Sequence, residues 1–237
     1  MKIRYTMIGI LAIMALFLLA GCQQKQENTI NVEGNAEIIA KPDQAEVWLG
    51  ISIVKDTAAE AQNEANKIVN DILDGLRSKG IQEQDIQTEQ LSLYEERTWT
   101  QDGGSKLVGW RASQTLKVKT TDLSKVGTIV DIGVSNGANQ VNNINFGLSL
   151  EKEQEYKQKA LSEATKNAKS KADTIAQSLG VKLGKIKSVS ESSFDYMPYA
   201  YTMEAKATRA DMVEEAASVM PRDVTVNARI SLVYNIG

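Results

Sequence analysis

The residue types that most often do chemistry are scarce in this chain, and their scarcity is the first informative fact. No histidine occurs in 237 residues, and Cys22 is the single cysteine. That removes the commonest general base, the commonest metal ligand, the Ser–His and Cys–His dyads, any internal disulfide and any multi-cysteine metal site. Glu95-Glu96 are paired acids, but neighbours on a strand point to opposite faces and cannot share one reaction centre. Glu214-Glu215 read as solvated charge, and Gly103-Gly104 lack the strand–loop–helix setting of a phosphate loop. Serine and lysine are plentiful, yet no spacing singles out a Ser–Lys dyad. The expectation is therefore a non-enzymatic protein without a cofactor or a resident metal.

One segment concentrates unusual side chains. Phe194, Tyr196, Met197, Tyr199 and Tyr201 crowd together in a chain with only 5% aromatics, and Met203, Met212 and Met220 follow. Thioethers are soft ligands, so a cuprous site is one reading; without a histidine or thiolate, adaptable apolar packing is the commoner one. A third reading is a contact surface, because tyrosine and methionine are enriched at interfaces and long loops tend to be functional. Tyr196, Met197, Tyr199 and Tyr201 are the candidate interface. Trp99 and Trp110 flank a Gly-rich turn and are expected to pack across their strands, with a projecting contact tip as the alternative.

Cys22 has its own explanation. Lys2 and Arg4 precede an uncharged apolar run from Tyr5 to Ala20, then Leu19-Ala20-Gly21-Cys22, then the polar Gln23–Asn28. This is the layout of a secretory signal, residues 1–21, and Leu-Ala-Gly-Cys resembles a bacterial lipobox whose cysteine is diacylated. Two acyl chains hold a protein on a bilayer stably where one does not. The alternative is an uncleaved anchor, since the run is only slightly short of the roughly 20 residues a span needs. Cys22 sits at the boundary and is the only cysteine, which favours the lipid. Residues 22–28 then form a lipidated tether, and the globular part, 29–237, lies outside the cytoplasm. Loss of residues 1–21 moves the net charge from −3 to −5, so neither nucleic acid nor anionic lipid is an electrostatic partner.

The elements that must position these residues are readable by period. The longest helix is predicted over 151–180. Tyr156, Ala160, Leu161, Ala164, Ala168, Ala172, Ile175, Ala176 and Leu179 fall on one stripe, with Gly180 as an αL stop. Its alanines, one turn apart, allow very close packing. A second helix opens at the Thr57-Ala58-Ala59-Glu60 capping box and ends at Gly80; a third, capped by Asp122, ends at Asn136-Gly137. Period-two alternation marks strands at 30–40 and 45–53, expected to pair with each other. Further strands are expected at 86–99 (phase slip near Gln90-Leu91), 110–118, 144–148, 185–191 and 224–234. Residues 192–221 read as a loop. The layout is α+β, antiparallel sheets with hairpins covered by one long and two shorter helices. A helix ending in Gly-aliphatic and followed by two strands recurs at Gly80-Ile81 and Gly180-Val181, by internal duplication or by coincidence.

Several segments together resemble the SIMPL-domain family: Ile30–Glu37 (INVEGNAE) with Lys41–Ala45 (KPDQA), Asp122–Gly127 (DLSKVG), Gly137-Ala138-Asn139, Ile144–Leu148 (INFGL), and the helix from Ala164 to Gly180. The resemblance covers nearly all of 28–237. It implies an α+β envelope protein with largely unassigned biochemistry, an association with envelope stress defence, and ring-like homo-oligomers. It brings no catalytic residues; Gly34, Pro42, Gly137, Gly147 and Gly180 match as turn and packing positions. The function expected is a lipid-anchored, oligomeric structural or stress-protective envelope component. The alternative is a monomeric binding module for a small apolar or metal ligand.

Overall fold

A computed structural model describes residues 28–201 and 221–237. Among these residues eight strands form two antiparallel sheets. The first sheet has the order β1-β8-β6, with β1 at Thr29–Ala40, β6 at Leu183–Met197 and β8 at Val224–Ile236. The second has the order β3-β4-β2-β5-β7. Its strands are β2 (Gln44–Lys55), β3 (Ile86–Trp99), β4 (Ser105–Thr120), β5 (Gln140–Gly147) and β7 (Tyr199–Tyr201).

Helices cover one face of each sheet. Helix α1 (Ala58–Ser78) begins at the capping box: Thr57 Oγ1 accepts from Glu60 N at 3.2 Å, and Glu60 Oε2 accepts from Thr57 N at 3.2 Å. It buries Ala61, Ala65, Ile72 and Leu76 over β2 and β4, and α2 (Lys125–Ser135) adds Val126, Ile129 and Val130. Asp122 does not cap α2 directly. Its Oδ1 accepts from Ser124 N and Ser124 Oγ, building the turn before a helix whose N-cap is Ser124.

Helix α3 (Leu150–Leu179) lies over β1 and β8 and buries five alanines, Ala160, Ala164, Ala168, Ala172 and Ala176. Ile175 and Leu179, expected on the same stripe, are exposed. The closeness the alanines allow is used at Gly34 in β1. A Cβ there would collide with the Ala164 carbonyl oxygen and stand 2.6 Å from Ala168 N. Beside that contact Lys171 Nζ donates to Glu33 O at 2.8 Å.

Two expectations are corrected. Strands β1 and β2 do not pair: β1 runs against β8 over its whole length, and β2 lies between β4 and β5. Alternation fixes which face a strand buries but not its partner. Residues 192–201 are also not loop. β6 continues to Met197 and, after Pro198, β7 pairs with Ile144–Phe146 of β5. A register shift between Glu191 and Ser193 interrupts the alternation at the point where the strand was expected to stop.

The element order α1-β3-β4 with β2 as third strand repeats as α3-β6-β8 with β1 as third strand, and the sheet orders β3-β4-β2 and β6-β8-β1 correspond. The helix ends match as well. Gly80 and Gly180 both have positive φ (76° and 69°), and Ile81 N and Val181 N donate back to Leu76 O and Ala176 O. The two cores are tied by the turn between β1 and β2. Asp43 N donates to Gly147 O, while the Asp43 carboxylate accepts from Ser149 N at 2.6 Å and Ser149 Oγ at 2.7 Å.

Candidate interaction surfaces

The paired acids separate as strand geometry requires. Glu95 Oε2 takes Arg97 Nε at 2.7 Å and Glu96 Oε2 takes Arg111 Nε at 2.7 Å, in two distinct ion pairs. The Arg111 hydrogen bond holds the Glu96 carboxyl below the usual glutamate range, with Arg111's charge adding to it against partial desolvation. Arg111 Nη1 also donates to Ser52 Oγ at 2.8 Å. Among the described residues no group of three or more acids is placed to hold a metal.

The Tyr/Met segment joins the two sheets. The Tyr196 hydroxyl accepts from Leu148 N at 2.6 Å and its ring packs on the α3-side core. Burial pushes its phenol pKa up, against the lowering effect of that hydrogen bond. Tyr199 packs against both cores, with the Arg222 guanidinium 5.5 Å from its ring centroid. Met197 points outward and is 72% exposed. Among the described side chains of this candidate interface, Met197 has most surface to offer, while Tyr196 and Tyr199 are largely engaged internally. The Tyr201 side chain, Met203, Met212, Met220, Glu214-Glu215 and the whole N-terminus with Cys22 lie outside the described residues.

The larger unburied apolar surface is on the β3–β4 hairpin. A 21-residue helix is about 31 Å long, whereas strands of 14 and 16 residues extend about 46 and 53 Å. The hairpin therefore outruns its helix. It also outruns β2, whose pairing ends at Lys55 with Trp110. Beyond that point Trp99 is 82% exposed, with Leu107 and Val108 beside it; nearer the helix, Leu91, Leu93 and Tyr94 are exposed on β3. The two tryptophans do not pack together. Trp99 faces Ser105, while Trp110, five positions further along β4, faces Glu95 and packs on the core. The slip expected near Gln90-Leu91 is a register shift between Thr88 and Gln90.

β6 repeats this arrangement at the edge of the other sheet. Ile186 and Val189 sit opposite the buried Tyr234 and Leu232 but are themselves exposed, because α3 covers β1 and β8 and barely reaches β6. Both edge strands thus carry apolar side chains next to a row of backbone groups that, among the described residues, have no neighbouring strand. Sequence reasoning located the strands but missed this exposure. The signal available was the strand lengths set against the helix lengths.

A match to a family model covers residues 30–234, and the family is SIMPL, described as a protein of unknown function (DUF541). The chain belongs to the SIMPL family. It is 28% identical over 238 residues to the uncharacterized protein YggE of Edwardsiella ictaluri (strain 93-146), covering 98% of this chain and 99% of that protein. It is 27% identical over 236 residues to the 26 kDa periplasmic immunogenic protein of Brucella melitensis, covering 96% and 94%. It is 29% identical over 181 residues to YggE of Escherichia coli (strain K12), covering 76% and 72%. In this SIMPL chain the family-like segments map to structural knots. Gly34 admits α3, Asp43 holds Ser149, and Asn139 Nδ2 and Oδ1 bond Ser52 O and Ser52 N at 2.8 and 3.0 Å, extending the edge of β2.

Proposed function

We propose that this SIMPL protein is a lipid-anchored extracytoplasmic component whose working form is a homo-oligomer with a structural or stress-protective, non-enzymatic role. The observation that carries the oligomer is the apolar surface of the β3–β4 arm. Leu91, Leu93, Trp99, Leu107 and Val108 stand in water along an open sheet edge. Monomeric proteins seldom leave such an edge bare, because it is a template for pairing with another chain. Met197 and the β6 edge offer a second apolar strip with which a neighbouring copy could engage. The extracytoplasmic address is supported by the Brucella relative, whose name places that protein in the periplasm. The anchor rests on the lipobox-like Leu19–Cys22. The non-enzymatic role rests on the lack of histidine in the sequence.

Native mass spectrometry of the full-length protein, gently solubilised from its own membranes, tests the reading. A discrete multimer whose subunit mass includes acyl chains on Cys22 is the expected result. A monomer, or an unmodified chain that retains residues 1–21, would overturn the corresponding part.

A further inference from the structure

The face of the β1-β8-β6 sheet turned away from α3 carries a shallow cavity of about 410 Å³. Its chemistry is mixed in a particular way. Glu37, Asn227 and Asp195 are directly facing residues on β1, β8 and β6, so they form one row across the sheet. With strands about 4.8 Å apart, the two carboxylate-bearing positions stand about 10 Å apart, one on each side of Asn227. Arg229 is two residues along β8 from Asn227, about 7 Å away on the same face, opposite Asn35. Its Nε donates to Asn35 Oδ1 at 3.2 Å. Among the described residues Arg229, Glu37 and Asp195 make no ion pair with one another or with any other group. Three charges of both signs therefore share one cavity without neutralising each other.

We propose that this trough binds a small zwitterion of the amino-acid type, with its carboxylate on Arg229 and its ammonium between Glu37 and Asp195. The charge pattern selects this class over its neighbours. A simple anion meets two carboxylates, and a di- or polycation meets Arg229. A molecule carrying both charges a few ångströms apart satisfies all three groups, and Asn35 and Asn227 supply neutral donors and acceptors beside them. The volume falls within the usual range for small-ligand sites. A second hollow of about 460 Å³ shares Asp195 and Asn227 and continues past Met197, Pro198 and Tyr199. Asp223, Val224 and Thr225 complete that hollow. Met197, Pro198 and Tyr199 give the ligand's side chain an apolar and aromatic wall while Asp223 disfavours an acidic one, so the preferred zwitterion has an apolar substituent. This site lies on the β1-β8-β6 sheet, away from the β3–β4 arm; it shares Met197 with the strip assigned to a neighbouring copy, and the ligand titrations test it whatever the subunit number.

The test is isothermal titration calorimetry of the full-length protein in detergent against each of the twenty common L-amino acids. The best ligand is then compared with its amine-only and acid-only analogues. Saturable binding of at least one apolar amino acid is expected, and each analogue should bind weaker by about tenfold or more, since each loses one charge-assisted contact. Arg229→Met and the Glu37→Gln/Asp195→Asn pair should each weaken it to a similar degree. These side chains are exposed, and circular dichroism should show an unchanged fold; the analogue comparison on the wild-type protein stands independently of the variants. Absence of binding by all twenty, an analogue as tight as its parent, or folded variants that bind like wild type would each overturn the proposal.

Discussion

Gly34 shows how little freedom some single positions retain. Its missing side chain is what lets the α3 alanines rest on β1. Gly34→Ala forces a methyl group against helix backbone, and overpacking of that kind costs about 1–3 kcal/mol; a lowered urea midpoint with unchanged slope would show it. Asn139→Asp keeps the shape but cannot donate to Ser52 O. It should cost about 1 kcal/mol, the worth of a net hydrogen bond, read by the same unfolding curve. Glu96 supplies a pH dependence. Its folded pKa lies below the ordinary value because Arg111 hydrogen-bonds the ionised form. Its contribution is therefore present above the ordinary glutamate pKa and lost as pH falls through the lower folded value. A carbon-detected NMR titration should place the Glu96 midpoint below those of exposed glutamates, and a midpoint at or above them would contradict this. None of these three contacts could be read from sequence as a contact. Gly34 is legible as a glycine inside an alternating strand, the mark of a bulge or a close backbone approach, and Asn139 only as a member of a family-like segment; the partners themselves lie 130 and 87 residues away.

At the scale of elements, what is local was legible and what is remote was not. The capping box at Thr57, the alanine stripe of α3 and the glycine stops at Gly80 and Gly180 are each written within a few residues, and each appears where the period and caps place it. Strand partners are chosen by whole-chain topology. The clean alternation of β1 and β2 therefore suggested a pair that the structure divides between two sheets. The end of β6 has a loop-like pattern because one register shift, between Glu191 and Ser193, breaks the alternation, while its partner β8 pairs with it through to Met197. The exposure of the β3–β4 arm is likewise a property of relative lengths, not of any one residue. Thr57→Ala removes a local cap and should lower stability by about 1 kcal/mol without changing subunit number. Trp99→Ser removes a side chain that touches little of its own chain. Its unfolding free energy should stay within about 0.5 kcal/mol of wild type, while self-association weakens. Urea titration and sedimentation together separate the two effects.

For the whole molecule, the two helix-covered sheets have separate cores joined through Asp43, Ser149, Tyr196 and Tyr199. Each sheet ends in a strand, β3 or β6, that its helix fails to cover. One copy thus presents two different apolar edges, and edges that differ favour head-to-tail association, which closes into a ring or extends as a filament. Cys22 lies at the other functional extreme, outside the described residues. If its acyl chains are the anchor, mass spectrometry of the N-terminal peptide should find Cys22 acylated and residues 1–21 absent, whereas an uncleaved span would retain residues 1–21 and leave Cys22 unmodified. The most direct test of the central claim is sedimentation velocity of the full-length protein in detergent, beside the Leu91→Ser/Leu93→Ser/Trp99→Ser variant. The expected result is a single discrete multimer for wild type and a folded monomer for the variant. A wild-type monomer at every concentration, or a multimer that the three substitutions leave intact, would contradict the account.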